Sequence, residues 1–119
     1  MGIAMAVPQT KRKWNGSKWI GKVRRYAIYR RDEFRCAYCG KDLESVDPQE
    51  RTLDHITPKE LGGSDLSRNL ITSCRTCNSR KRDLSLTKFL SWLEDRGVEV
   101  SEIAKRIRRQ RRRKWKLYR

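Results

Sequence analysis

From residue 22 onward the apolar positions of this chain fall into short periodic runs separated by charged or turn-forming residues. Val23, Tyr26, Ala27 and, further on, Phe34 recur at helical spacing. They predict a helix over about Lys22 to Arg31, with Arg24, Arg25, Arg30 and Arg31 on the opposite side. Arg51 to Ile56 and Asn69 to Ser73 read as two short strands, and Pro58 and Gly62-Gly63 break regular structure between them. Another helix is predicted from about Arg75 to Arg82. Leu86, Phe89, Leu90 and Leu93 then fall at i, i+3, i+4 and i+7, the packing stripe of a helix that Ser85 caps and Gly97 ends. Ser101 is placed to cap a last helix carrying Ile103, Ala104 and Ile107. Met1 to Gln9 shows no periodicity and is expected to be disordered, and no internal repeat is present.

The order helix, strand, loop, strand, helix, helix, helix makes the fold class α+β. At 119 residues the chain has room for one domain with extensions, and a domain that small hides a limited share of its unfolded surface and needs a staple. Its four cysteines form two Cys-x-x-Cys pairs, Cys36/Cys39 and Cys74/Cys77. Met1 to Val7 is too short an apolar run for a signal peptide and is followed by a basic stretch, so a cytoplasmic location is expected. Reduced thiolates on one structural zinc are then favoured over two disulfides. Gly40 follows the first pair, where a tight turn onto a metal demands unusual backbone.

Charge narrows the partner. Lys and Arg number 30 against 14 Asp and Glu, a net +16, which draws the chain to a polyanion. DNA is the leading candidate. A membrane partner is set aside because the basic segments interleave Trp and Tyr without a wide apolar face, and no apolar run approaches the ~18 residues needed to span a bilayer.

The cysteine pairs are separated by 34 residues, more than a simple zinc ribbon requires, so something is inserted between them. The insert reads Leu53-Asp54-His55-Ile56-Thr57-Pro58, then Gly62-Gly63, then Asn69-Leu70, and the second pair continues Cys74-Arg75-Thr76-Cys77-Asn78 to Lys81. His55 and Asn69 are 14 positions apart, and Asn69 and Asn78 are 9. In wording and spacing, residues 32–82 resemble the HNH nuclease family, in the form that carries Asn at the third motif position. The resemblance implies a ββα-metal core stapled by a four-cysteine zinc site, with His55 as general base and Asn69 fixing the loop that orients it. It also implies Asp54 and Asn78 as ligands of a catalytic divalent cation. Mg2+ or Mn2+ is expected, other divalent ions being compatible. A phage or bacterial origin, with other phage or host DNA-processing proteins as partners, is implied in the same way.

The residue types suit those roles. An imidazole titrates close enough to neutrality to take a proton from water, and His55 is the only histidine. One carboxylate and one amide oxygen leave most of a hard cation's coordination sphere to water and a phosphate oxygen. Arg75, Arg80 and Lys81, close in sequence to Asn78, are candidate phosphate contacts, although Arg75 could instead donate to the thiolates. Lys105 to Arg119 holds ten Lys or Arg and no acid. Within it Arg108, Arg109, Arg111, Arg112 and Arg113 are expected to track the phosphate backbone. Trp14, Trp19 and Trp115 could stack on bases or pack on the core.

The expected layout is a basic extension over 1–21, a nuclease domain over 22–97 and a basic helical arm over 98–119. Together these features predict a metal-dependent endonuclease that nicks or cuts DNA. The alternative is a zinc-stapled nucleic-acid-binding protein without catalysis. Nothing in the sequence settles specificity or oligomeric state.

Overall fold

The computed structural model describes residues 20–112; Trp14, Trp19, Arg113 and Trp115, and the segment Met1 to Gln9, lie outside them. Among the described residues, four α-helices and a two-stranded antiparallel sheet follow in the order α1 (Lys22–Arg31), β1 (Arg51–His55), β2 (Leu70–Cys74), α2 (Arg75–Lys81), α3 (Leu86–Glu94) and α4 (Ser101–Arg112). The strands pair with Arg51 opposite Cys74 and His55 opposite Leu70. One end of the sheet therefore meets the second cysteine pair and the other end carries His55. Among the described residues no helix is long and apolar enough to cross a membrane.

All five residues of β2 are buried because both faces of the sheet are covered. On one face Leu53 and Leu70 pack with Ile20, Ile28, Tyr29 and Phe34 from α1 and its flanks. On the other, Ile71 packs with Cys36, Tyr38, Phe89, Ile103 and Ile107, and Cys74 at the end of the strand joins the same cluster, linking both knuckles to α3 and α4. Strand alternation sends successive β2 residues into different small cores.

The extent of α1 is as the spacing predicts, but its buried face is not. Val23 and Tyr26 are 70% and 48% exposed, whereas Ala27, Ile28, Tyr29 and Arg31 are buried. Arg31, expected among the solvent-facing arginines, pairs its Nε with Asp32 Oδ1 at 2.7 Å and donates to the Leu70 and Ser67 carbonyls at 2.7 and 2.9 Å. Asp32 Oδ2 in turn accepts from the Thr72 amide at 2.9 Å. A guanidinium can be buried when its fork is satisfied in this way. Its two carbonyl acceptors lie 36 and 39 residues further along the chain, so helical periodicity alone could not show it.

Ser85 caps α3, its hydroxyl accepting from the Lys88 amide at 3.2 Å, and the helix closes with the Val98 amide on the Leu93 carbonyl and Gly97 at φ 85°. Ser101 is the first residue of α4 instead of its cap; Glu99 accepts from the Ser101 amide at 3.0 Å. α4 is not a free arm. Ile103 and Ile107 enter the cysteine core, Gln110 donates to the Asp32 carbonyl at 3.3 Å, and Arg106 donates to the Ala37 carbonyl at 2.9 Å. Arg106 also lies over Gly40, whose φ of 78° is the left-handed conformation that favours glycine.

Candidate active site and metal centre

The two knuckles are brought together by the sheet. Ala37 donates its amide to the Thr72 carbonyl of β2 at 2.9 Å, and β2 runs directly into Cys74, whose sulfur caps α2 by accepting from the Cys77 amide at 3.4 Å. Cys36 Sγ accepts equivalent bonds from the Tyr38 and Cys39 amides at 3.4 and 3.5 Å. All four cysteines are free thiols, and their sulfurs lie within 4.8 Å of one another. A tetrahedral zinc with Zn–S bonds of about 2.3 Å needs sulfurs about 3.8 Å apart. Cys39 and Cys74 have that separation, 3.8 Å.

The electrostatics fit the same group. The thiol of Cys77 hydrogen-bonds the sulfur of Cys36 and, with neighbouring amides, lowers the Cys36 pKa to about 4, while burial raises that of Cys39 to about 11. The Cys77 thiol is driven upward by its bond to Cys36. Four adjacent sulfurs cannot all ionise by themselves, and a divalent cation removes that conflict. The cluster can hold zinc.

Three of the remaining motif residues, Asp54, His55 and Asn78, line one open cavity of about 470 Å³ together with Lys59, Glu60, Arg82 and Asp83. Asp54 and His55 end β1, and Asn78 reaches the cavity from α2. The Nδ2 of Asn78 donates to Thr52 Oγ1 at 3.0 Å, which leaves Oδ1 as the atom it can offer a cation. Asp54 is buried and accepts from the Tyr38 hydroxyl. Desolvation pushes its carboxyl above the usual range, against the opposing pull of Lys81, Tyr38 and His55. Burial and the Asp54 charge likewise raise the Tyr38 phenol, which therefore donates.

Lys81, expected on phosphate, is instead completely buried. Its ammonium lies 3.2 Å from Asp54 Oδ2 and donates to the His55 carbonyl at 2.8 Å. One turn beyond Asn78, its side chain points inward under the sheet and has no surface to present to DNA. A cation at Asp54 would share the carboxylate with this ammonium. The oxygens of Asp54 and Asn78, with Glu60 and Asp83 also lining the cavity, are hard donors of the kind a divalent cation takes.

Asn69 lies in a short turn just before β2 and clamps the loop that follows His55. Its Oδ1 accepts from the Thr57 amide at 2.9 Å, and its Nδ2 donates to the Thr57 and Ser64 carbonyls at 3.0 and 2.8 Å. Gly62-Gly63 is a built turn within that loop. A Cβ at Gly63 would sit 1.7 Å from the Thr57 carbonyl oxygen. Asp65 next in the loop places Oδ1 2.8 Å from His55 Nε2 and Oδ2 3.1 Å from Lys59 Nζ. Desolvation raises the Asp65 carboxyl, but the hydrogen bonds from His55 and Lys59 outweigh it and hold the group below its ordinary range.

Asp65, Tyr38 and Lys81 are the site neighbours that sequence reasoning missed or misassigned. The one signal that could have marked any of them is the place of Asp65 two residues beyond Gly62-Gly63. Arg75 and Arg80 stand exposed on α2, and Arg108, Arg109, Arg111 and Arg112 stand exposed on α4. Lys105, Arg108, Arg109 and Arg112 line a shallow basic groove of about 410 Å³.

A family model described as HNH endonuclease matches residues 36–91, from the first knuckle through most of α3. Comparison with curated proteins gives no match.

Proposed function

We propose that this chain, which carries an HNH endonuclease domain over residues 36–91, is a metal-dependent endonuclease hydrolysing DNA phosphodiester bonds. The observation that carries the proposal is the convergence of Asp54, His55 and Asn78 from two elements onto one open, water-accessible cavity. A protein that only bound DNA would have no physical need for a carboxylate, an imidazole and an amide oxygen on the wall of a single cleft.

In the proposed reaction Asp54 and Asn78 would hold Mg2+ or Mn2+. When bound, that ion supplies Lewis-acid stabilisation of the charge that develops on the phosphoryl group. His55 takes one proton from the attacking water. The water oxygen forms its bond to phosphorus as the bond to the departing sugar oxygen breaks, and that oxygen gains a proton from solvent. The loop held by Asn69 keeps His55 at the cavity mouth. Arg75 and Arg80 on α2 and Arg108, Arg109, Arg111 and Arg112 on α4 are proposed phosphate contacts that bring the duplex to the cleft without reading bases. One such site cuts one strand, so the elementary product is a nick.

Cleavage of supercoiled plasmid with magnesium, manganese or chelator tests this. His55→Ala is expected to lose about 10²- to 10⁴-fold in rate while DNA affinity and zinc content stay unchanged, because a base acts in the transition state. Cutting at the wild-type rate by His55→Ala would refute the assignment. A wild-type protein that binds DNA but leaves plasmid intact with every divalent ion would favour the non-catalytic binding module.

A further inference from the structure

The imidazole of His55 is held from outside its own strand. Its Nε2 meets Asp65 Oδ1 at 2.8 Å, and the surroundings of Asp65 make that contact a built one. Lys59 occupies the second carboxylate oxygen at 3.1 Å. The Arg24 guanidinium, reaching across from α1, bonds the Asp65 carbonyl and also meets Ser67 Oγ at 3.3 Å. The Asn69 amide fixes the Ser64 carbonyl on the other side of Asp65. Gly63 packs against the Thr57 backbone so closely that no side chain fits between them.

A histidine ring has two nitrogens, and in the neutral form one donates and the other accepts. An ionised carboxylate only accepts. With Asp65 at Nε2, the ring proton belongs on Nε2 and the accepting lone pair on Nδ1.

We propose that Asp65 is the positioning residue of His55: it fixes the Nε2–H tautomer and the ring plane, so that the proton of the attacking water goes to Nδ1. The proposal rests on His55 being the general base. As Nδ1 gains its proton the ring becomes an imidazolium beside the Asp65 carboxylate, and the charge that forms has a partner already in place. Asn69 then acts on the base at one remove, by clamping Thr57 and Ser64 on either side of the turn that presents Asp65.

Because His55 is the only histidine, long-range 15N–1H spectra of uniformly labelled, zinc-loaded protein report its tautomer without assignment ambiguity. The expected wild-type pattern is Nε2 protonated and Nδ1 unprotonated; a neutral ring protonated on Nδ1 would overturn the proposal with no variant needed. Asp65→Asn keeps the shape of the side chain but lets its amide donate to Nε2 as readily as accept. It should yield a tautomer mixture and lower kcat by about 10- to 10²-fold, part of the general-base contribution, with KM and DNA affinity within about twofold. Wild-type kcat in a folded, zinc-loaded Asp65→Asn would also overturn it. Plasmid cleavage by the wild type and its loss in His55→Ala, run alongside, judge the nuclease assignment separately. With those two results in hand, a normal Asp65→Asn rate refutes only the positioning role.

Discussion

Replacing Lys81 by Met removes the ammonium and keeps most of the volume. Lys81 is fully buried, 3.2 Å from an Asp54 carboxylate whose own side chain is only 5% exposed. The variant strands a buried charge whose remaining described side-chain donor is the Tyr38 hydroxyl, and it leaves the His55 carbonyl without the lysine bond of 2.8 Å. Breaking one side of a buried ion pair costs about 3–5 kcal/mol. In a domain of this size that lowers Tm by at least about 12 °C.

The deficit should depend on pH with a definite sign. Burial already holds the Asp54 pKa above its unfolded value, and losing Lys81 moves it further up. A carboxyl with a raised folded pKa costs stability once pH exceeds the unfolded value, so the deficit should be larger under mildly alkaline than under mildly acidic conditions. Urea unfolding of zinc-saturated wild type, Lys81→Met and Lys81→Met/Asp54→Asn measures all of this. The double variant should recover most of the loss, since its buried group is neutral. A loss below about 1 kcal/mol, of the size seen for exposed pairs, or a double variant no better than the single, would refute the reasoning.

Zinc analysis of purified protein should give about one equivalent per chain, and stripping it should unfold the domain, because binding energy at such a site is folding energy; a folded, zinc-free protein would contradict this. Gly63→Ala should lower plasmid cleavage while zinc content holds, since a Cβ 1.7 Å from the Thr57 carbonyl forces the loop carrying Asp65 to move; unchanged cleavage would show that the loop tolerates the shift. Replacing Arg108, Arg109 and Arg112 together by Gln should flatten the dependence of log K on log salt by about 0.9 for each duplex phosphate that the protein no longer neutralises. Salt titrations of binding measure this, and an unchanged slope would remove α4 from the interface. Truncation is a poor substitute, because Ile103 and Ile107 of the same helix are core residues.

What the sequence by itself determined is local. The strand and helix positions follow from periodicity, and the structure finds them within a residue or two. The cysteine pairs carry ligand spacing within each knuckle, and the run from Asp54-His55 through Asn69 to Asn78 places the candidate site between the pairs and just beyond the second. Signals of this kind reside in neighbouring residues and survive without knowledge of the fold. What the tertiary structure alone decided is which side chains meet across long stretches of chain. The inward face of α1 depends on carbonyls at Ser67 and Leu70 that accept from Arg31. Lys81 looks like any exposed helix cation until the sheet closes over it and Asp54 supplies its counter-charge. Arg106 and Ile107 belong to a run that reads as a basic arm, yet they pack on the first knuckle because the Ala37 carbonyl accepts from the guanidinium and the cysteine core still has apolar surface to cover. Asp65 gains its role only when Asn69 and Gly63 fold the loop back on β1. A charged residue's environment is set by partners far away in sequence, so composition and periodicity see its charge and miss its place.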